Sequence, residues 1–247
     1  MGLKKEFEQQ GIWLFRYRGQ LPVLILVVQL AIYFFAVRDR SLYWNEPGSW
    51  EVICLGVCLL GQIIRFMVIG YTPRNTSGRN TKAQVAEVVN QTGIYSVVRH
   101  PLYLGNFFMW LGIAMISQNP WFVAVFVLVF WLFYERVMYA EEAFLRKSFG
   151  DPYKKWSEKV PAFIPALRGW VPSRMNFSFR NILKRESVGF FNVFLVFWLF
   201  SAERALATGR SFDLLDPWFL TLMIVSLLTA VLWLIRKKTK WLIVEGR

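Results

Sequence analysis

Two short clusters carry the side chains most able to do chemistry. The first is Arg99-His100-Pro101-Leu102-Tyr103-Leu104-Gly105. Proline suits the first turn of a helix, where its missing N–H is no loss. Arg99 and His100 therefore stand at a helix N-terminus, whose free N–H groups and partial positive charge attract anions. Tyr103 and Gly105 follow within the next turns, and glycine permits close approach of a ligand or a second backbone. The second cluster is Glu135, Arg136, Glu141 and Glu142. Carboxylates are disfavoured at a helix C-terminus, so an adjacent acidic pair there invites a cationic partner. The competing readings are plain. Arg99 and Tyr103 would anchor a membrane edge, and the glutamates would be a solvated helix end paired with Arg146 and Lys147.

What positions these clusters is read from hydropathy. Of 247 residues, 55% are apolar and only 18% are charged, against about a quarter charged in soluble domains. That excludes an ordinary soluble domain and a disordered chain. Two cysteines cannot build a disulfide scaffold, and one histidine excludes zinc sites of several histidines; no metal site is expected. A spanning helix needs about 20 mostly apolar residues. Six stretches qualify: 21–37, 52–71, 102–117, 121–139, 188–206 and 217–235. The third and fourth are separated by Gln118-Asn119-Pro120, which is turn chemistry. They form a tight hairpin that brings both clusters to one membrane face. The reading is an all-α integral membrane protein of about six transmembrane helices.

Loop charge sets the expected orientation. Lys and Arg are dense before the first span, between the second and third, between the fourth and fifth, and after the sixth (Arg236, Lys237, Lys238, Lys240). The other loops hold only Arg38, Arg40, Arg204 and Arg210. Both termini are expected on the cytoplasmic side, in a bacterial inner membrane or the endoplasmic reticulum. Residues 1–20 lack the apolar core of a signal peptide. The net charge of +13 is then explained by topology and attraction to membrane lipids, with no need for nucleic acid. Three stretches are expected: 1–91 with two spans and a basic loop, 92–172 with the clusters, and 173–247 with two further spans.

The motifs resemble those of the isoprenylcysteine carboxyl methyltransferase and phospholipid methyltransferase superfamily. Residues 99–105 match its RHPxYxG signature. Glu141-Glu142-Ala143-Phe144-Leu145, Phe149-Gly150, Tyr153 and Val160-Pro161 look like its EExxL…FG…Y…VP ending. The resemblance runs from about Thr92 to Pro165. It implies an integral membrane enzyme using S-adenosylmethionine, held in a cytoplasmic cofactor pocket. Carried over, His100, Pro101, Tyr103, Leu104 and Gly105 would line the cofactor pocket, and Glu141 and Glu142 would hold its ammonium group or ribose. Arg99 or Arg136 would hold an anionic acceptor, although Arg136 aligns with the family's arginine only if one residue is inserted. The acceptor expected is a carboxylate or phosphate on a lipid or lipidated substrate. Arg74, Arg79 and Lys82, in the basic loop, would contact its head group. The alternatives are a phospholipid amine N-methyltransferase and, from another class, a non-catalytic transporter or scaffold.

Two further features stand inside the second span. Cys54 and Cys58, one turn apart, read as small packing residues. Arg65 is an ionisable residue at membrane depth and so a functional candidate, yet near enough to the interface to snorkel.

Overall fold

The computed structural model describes residues 2–39, 47–73, 76 and 86–247. Among them the chain is all-α. Eight α-helices follow in order: α1 Leu3–Tyr17, α2 Leu21–Arg38, α3 Pro47–Tyr71, α4 Pro101–Met115, α5 Pro120–Phe149, α6 Asp151–Ser157, α7 Phe179–Ala207 and α8 Pro217–Lys238. A 3₁₀ turn, Ile94–Ser96, precedes α4. Five of the helices (α2, α3, α5, α7 and α8) are long and apolar enough to cross a membrane.

Of the six expected helices, five have this length among the described residues, and the third, α4, is a shorter apolar helix. α4 has 15 residues, about 22 Å of rise against a hydrocarbon core of about 30 Å. Its last carbonyls are served by the turn that follows, with Ile116, Ser117 and Gln118 N–H donating to Ile113, Ala114 and Met115, and by its neighbours. The last carbonyls of a helix have no partner within it, and in lipid they cannot turn to water. Gln29 of α2 donates to the Ile113 carbonyl at 2.5 Å, and Trp50 of α3 donates to the Met115 carbonyl at 2.8 Å.

The hairpin between α4 and α5 is present. Gln118 takes a positive φ of 53°, and the Asn119 side chain accepts from the N–H groups of Trp121 and Phe122 at 3.0 and 3.1 Å. Pro120 then begins α5. This is ordinary N-cap chemistry, placed where the turn residues fall.

The core is built at helix seams. Tyr33 and Val37 of α2, Cys54 and Cys58 of α3, Ile113 of α4, and Val193, Val196, Phe197 and Phe200 of α7 share one buried cluster, with Ile116 just past α4. The two cysteines pack there against α4 at Gly112. Phe15 of α1, Tyr103 and Ala114 of α4, and an aromatic stripe on α5 (Phe126, Phe130, Phe133, Tyr134) form a second cluster. Elsewhere large apolar side chains face outward, as on α8 at Leu220, Ile224, Leu227 and Leu228, which suits a lipid surround.

Two elements were not evident from hydropathy. α1 carries Phe7, Gly11, Leu14 and Phe15 on one face, the i, i+4, i+7, i+8 spacing of an amphipathic helix. That face lies on α5, with Phe7 against the Tyr139 ring at 6.0 Å and Gly11 and Phe15 buried. The second is the start of α7, which is tied to the end of α3. Ser178 N–H donates to the Gly70 carbonyl at 2.9 Å, and Asn181 Nδ2 donates to the Ile69 carbonyl at 2.8 Å.

Candidate functional site

The chain entering α4 is held by the segment after α6. Arg99 N–H donates to the Pro161 carbonyl at 2.9 Å, His100 N–H to the Ala162 carbonyl at 3.1 Å, and Ala166 N–H to the Val97 carbonyl at 2.9 Å. Gly93 pairs with Val171 in an antiparallel bridge. The prolines of this segment forbid helix, and its carbonyls serve the extended approach to His100 instead. Pro101 occupies the first turn of α4 and His100 is its N-cap residue.

Against this helix start stands the end of α5. His100 Nε2 lies 3.2 Å from Glu142 Oε1, and Nδ1 lies 3.5 Å from Glu141 Oε2. Arg99 Nη2 reaches the same Glu142 Oε1 at 2.8 Å, while its Nη1 donates to the Ser157 carbonyl. Arg146 Nη2 meets Glu142 Oε2 at 3.1 Å, one turn along α5. The His100 ring stacks on Tyr103 at 5.7 Å, and Tyr103 faces Tyr134 at 4.9 Å. The Tyr103 hydroxyl interacts with Glu141. Burial of the His100 ring disfavours its charge, but hydrogen bonding and attraction to Glu141 and Glu142 outweigh this and hold its pKa above the ordinary value. Burial also pushes the Tyr153 hydroxyl up.

The structure thus joins Arg99, His100, Tyr103, Glu141 and Glu142 in one constellation. Leu104 is buried in α4. Gly105 faces α3: a Cβ there would lie 2.7 Å from Arg65 Cγ and 2.9 Å from the Gly61 carbonyl oxygen. A Cβ on Gly61 would likewise overlap the Gly105 carbonyl. The close approach that Gly105 permits is between two helices.

Arg136 is not brought to the constellation. Its Nη1 pairs with Glu135 at 2.8 Å, its Nε donates to Gln10 Oε1 at 3.3 Å, and its guanidinium lies over the Phe7 ring at 4.4 Å. The physical reason is helical phase. Five and six residues before the acidic pair, at about 100° per residue, Arg136 points to the α1 side of α5. Arg74, Arg79 and Lys82 lie outside the described residues.

At the far side of α4, Arg65 gathers three residues that had no signal in motif or spacing: Glu186, Asn106 and Gln62. Arg65 makes a bidentate pair with Glu186 of α7, Nε to Oε2 and Nη2 to Oε1, both at 2.8 Å. Its Nη1 donates to Asn106 Oδ1 at 2.5 Å. Gln62 Nε2 adds a third donor to Glu186 Oε2 at 3.1 Å. Arg65 itself was marked in the sequence as a charge at membrane depth. Glu186 sits before the fifth apolar run, 121 residues away, and its partner could not be read from the chain.

The arrangement suits a ligand carrying both signs of charge. Three buried polar atoms at this end of the bundle, Arg99 Nε, Tyr153 Oη and Trp156 Nε1, have no hydrogen-bond partner among the described residues. Buried polar groups without partners are rare and call for an explanation. Two carboxylates, an arginine and unpartnered donors suit a ligand that carries ammonium, carboxylate and hydroxyl groups.

Comparison with known proteins places the chain in a class. The family model described as phospholipid methyltransferase matches residues 51–152, which takes in most of α3 and all of α4 and α5. Protein-S-isoprenylcysteine O-methyltransferase of Schizosaccharomyces pombe is 35% identical over 120 residues, covering 48% of this chain and 50% of the relative. A probable protein-S-isoprenylcysteine O-methyltransferase of Oryza sativa subsp. indica is 38% identical over 135 residues, covering 53% of this chain and 70% of the relative. The chain belongs to the protein-S-isoprenylcysteine O-methyltransferase family. It spans about half the length of the S. pombe relative. A solved structure of the eukaryotic intramembrane Ras methyltransferase, isoprenylcysteine carboxyl methyltransferase, is 25% identical, with a TM-score of 0.43 over 62% of this chain and 54% of that one.

Proposed function

We propose that the protein is an S-adenosylmethionine-dependent methyltransferase acting on the anionic head of a lipidic substrate, with the carboxylate of an isoprenylated cysteine as the acceptor. The single observation that carries this reading is the junction of Arg99 and His100 with Glu141 and Glu142 at the mouth of α4. In this reading Glu141 and Glu142 hold the cofactor's ammonium group or ribose. The N-terminus of α4, Arg99 and the Tyr153 hydroxyl take its carboxylate. His100, Pro101, Tyr103 and Leu104 form the wall beside it. The site faces the cytoplasm, as the loop charges require.

S-adenosylmethionine supplies a methyl carbon already activated on a sulfonium. The protein's part is alignment and exclusion of water. A carboxylate acceptor needs no general base: its oxygen forms the new C–O bond as the S–C bond breaks, and both charges disappear. What it needs is a cation to orient it. Arg99 is engaged by Glu142 and by the Ser157 carbonyl. Among the described residues Arg65 keeps N–H groups in reserve, and its partner Asn106 follows His100 and Tyr103 at i, i+3, i+6, so we assign the acceptor's carboxylate to Arg65. A lipid tail then leaves sideways between helices.

The test is methyl transfer by purified protein in detergent, from labelled S-adenosylmethionine to N-acetyl-S-farnesyl-cysteine. The expected product releases its label as methanol in base, as a carboxyl methyl ester does. Base-stable label on an aminophospholipid would establish the N-methyltransferase alternative. Protein that neither binds the donor nor transfers its methyl group would return the chain to the transporter or scaffold class.

A further inference from the structure

The matched segment ends at residue 152, yet α7 sends a carboxylate into it. Glu186 is buried, with 3% of its surface exposed, and it grips Arg65 by both oxygens. A guanidinium has five N–H groups. Three of Arg65's are engaged, two by Glu186 and one by Asn106. Among the described residues two remain, one on Nη1 and one on Nη2. Fork-on-fork pairing fixes the plane of the guanidinium, so the direction of the two remaining N–H groups is set by α7. Their neighbourhood leads back to the constellation. Asn106 interacts with Tyr134, whose ring meets Tyr103, which faces Glu141.

Stability alone is a poor reason for this pair. Replacing a buried ion pair by apolar side chains of similar volume is often neutral or stabilising. Its electrostatic consequence is more telling. An acceptor carboxylate loses its charge as it is methylated. A bare arginine in a low-dielectric site would stabilise the charged ground state more than the transition state, which lowers turnover. An arginine already neutralised by Glu186 offers N–H groups for alignment with little net charge.

We propose that Glu186 is a positioning residue for the methyl acceptor: it fixes Arg65 edge-on and balances its charge, so that α7 completes the acceptor half of a site whose donor half lies between the start of α4 and the end of α5. This rests on the carboxyl methyltransferase reading above.

The experiment is steady-state kinetics of wild type and Glu186→Gln with N-acetyl-S-farnesyl-cysteine and labelled S-adenosylmethionine. Donor binding is measured separately by calorimetry. Expected for Glu186→Gln are a kcat lowered at least tenfold, an acceptor KM unchanged or lower, and a donor Kd within twofold of wild type. Glu186→Asp, which keeps the charge, is expected to recover at least a third of the wild-type kcat. A kcat within twofold of wild type overturns the proposal, as does a loss that appears only as a raised acceptor KM. Should Glu186→Gln not yield monodisperse protein, the double variant Arg65→Leu/Glu186→Leu removes both charges together. It is expected to bind the donor normally and to lose transfer, and transfer within twofold of wild type refutes the assignment. No transfer by the wild type, with donor binding intact, overturns the carboxyl acceptor reading and this inference with it. Transfer by the wild type together with an indifferent Glu186→Gln overturns the inference alone.

Discussion

Glu142→Gln isolates the charge at the centre of the constellation. Glu142 Oε1 serves Arg99 at 2.8 Å and His100 at 3.2 Å, and Oε2 serves Arg146 at 3.1 Å. The three contacts are not equal. Arg99 and His100 are mostly buried, whereas the Arg146 side chain is 55% exposed. Hydrogen bonds to charged groups contribute roughly 1.5–3 kcal/mol, against about 0.5–1.5 kcal/mol for neutral ones. The amide can still accept from one donor, and His100 keeps Glu141. Two buried contacts weakened by about 1 kcal/mol each give a loss of about 2 kcal/mol. If the carboxylate also holds the donor's ammonium group or ribose, the same scale predicts a donor Kd about 30-fold weaker. Arg146→Ala is the internal control, because an exposed i, i+4 pair contributes only about 0.3–0.5 kcal/mol. Calorimetric titration of S-adenosylmethionine and thermal melting in one detergent would measure both. Wild-type affinity and melting in Glu142→Gln, or equal losses in both variants, would refute the reasoning.

Other outcomes follow from the same geometry. His100 has its pKa raised on folding, so its contribution to stability is fully present below the ordinary imidazole value of about 6.5. It is lost as pH rises through the higher folded value; melting temperatures of wild type minus His100→Gln should therefore narrow with rising pH above about 6.5. Gly61→Ala would drive a methyl group into the Gly105 carbonyl and Met109. Overpacking of this kind costs about 1–3 kcal/mol, and the variant should lose monodisperse yield on size-exclusion chromatography. Gln29→Leu would leave the Ile113 carbonyl only its backbone donor, Ile116 N–H, a lost buried hydrogen bond worth about 0.5–1.5 kcal/mol, and should lower the melting temperature by a few degrees; an unchanged melt would mean the backbone donor alone is enough to end α4.

Much of the site was legible because its signals are local. Pro101 places a helix start, Asn119-Pro120 places a turn, and a hairpin forces Glu141 and Glu142 to the face from which α4 departs. Apolar runs are sums over neighbours in the chain, so the five long spans and the shorter α4 are all marked by them. The rest depends on partners distant in sequence. Uniformly apolar helices such as α2 show almost no preferred face, so nothing in their periodicity says what they pack against. The docking of α1 turned Arg136 toward Gln10 and Phe7, and packing brought Gln29 and Trp50 to the carbonyls at the end of α4. Only the assembled bundle set Glu186 against Arg65. A charge at membrane depth must find its counter-charge wherever packing brings one close, because lipid offers no alternative; the chain announced the need at Arg65, and the fold chose the residue that meets it.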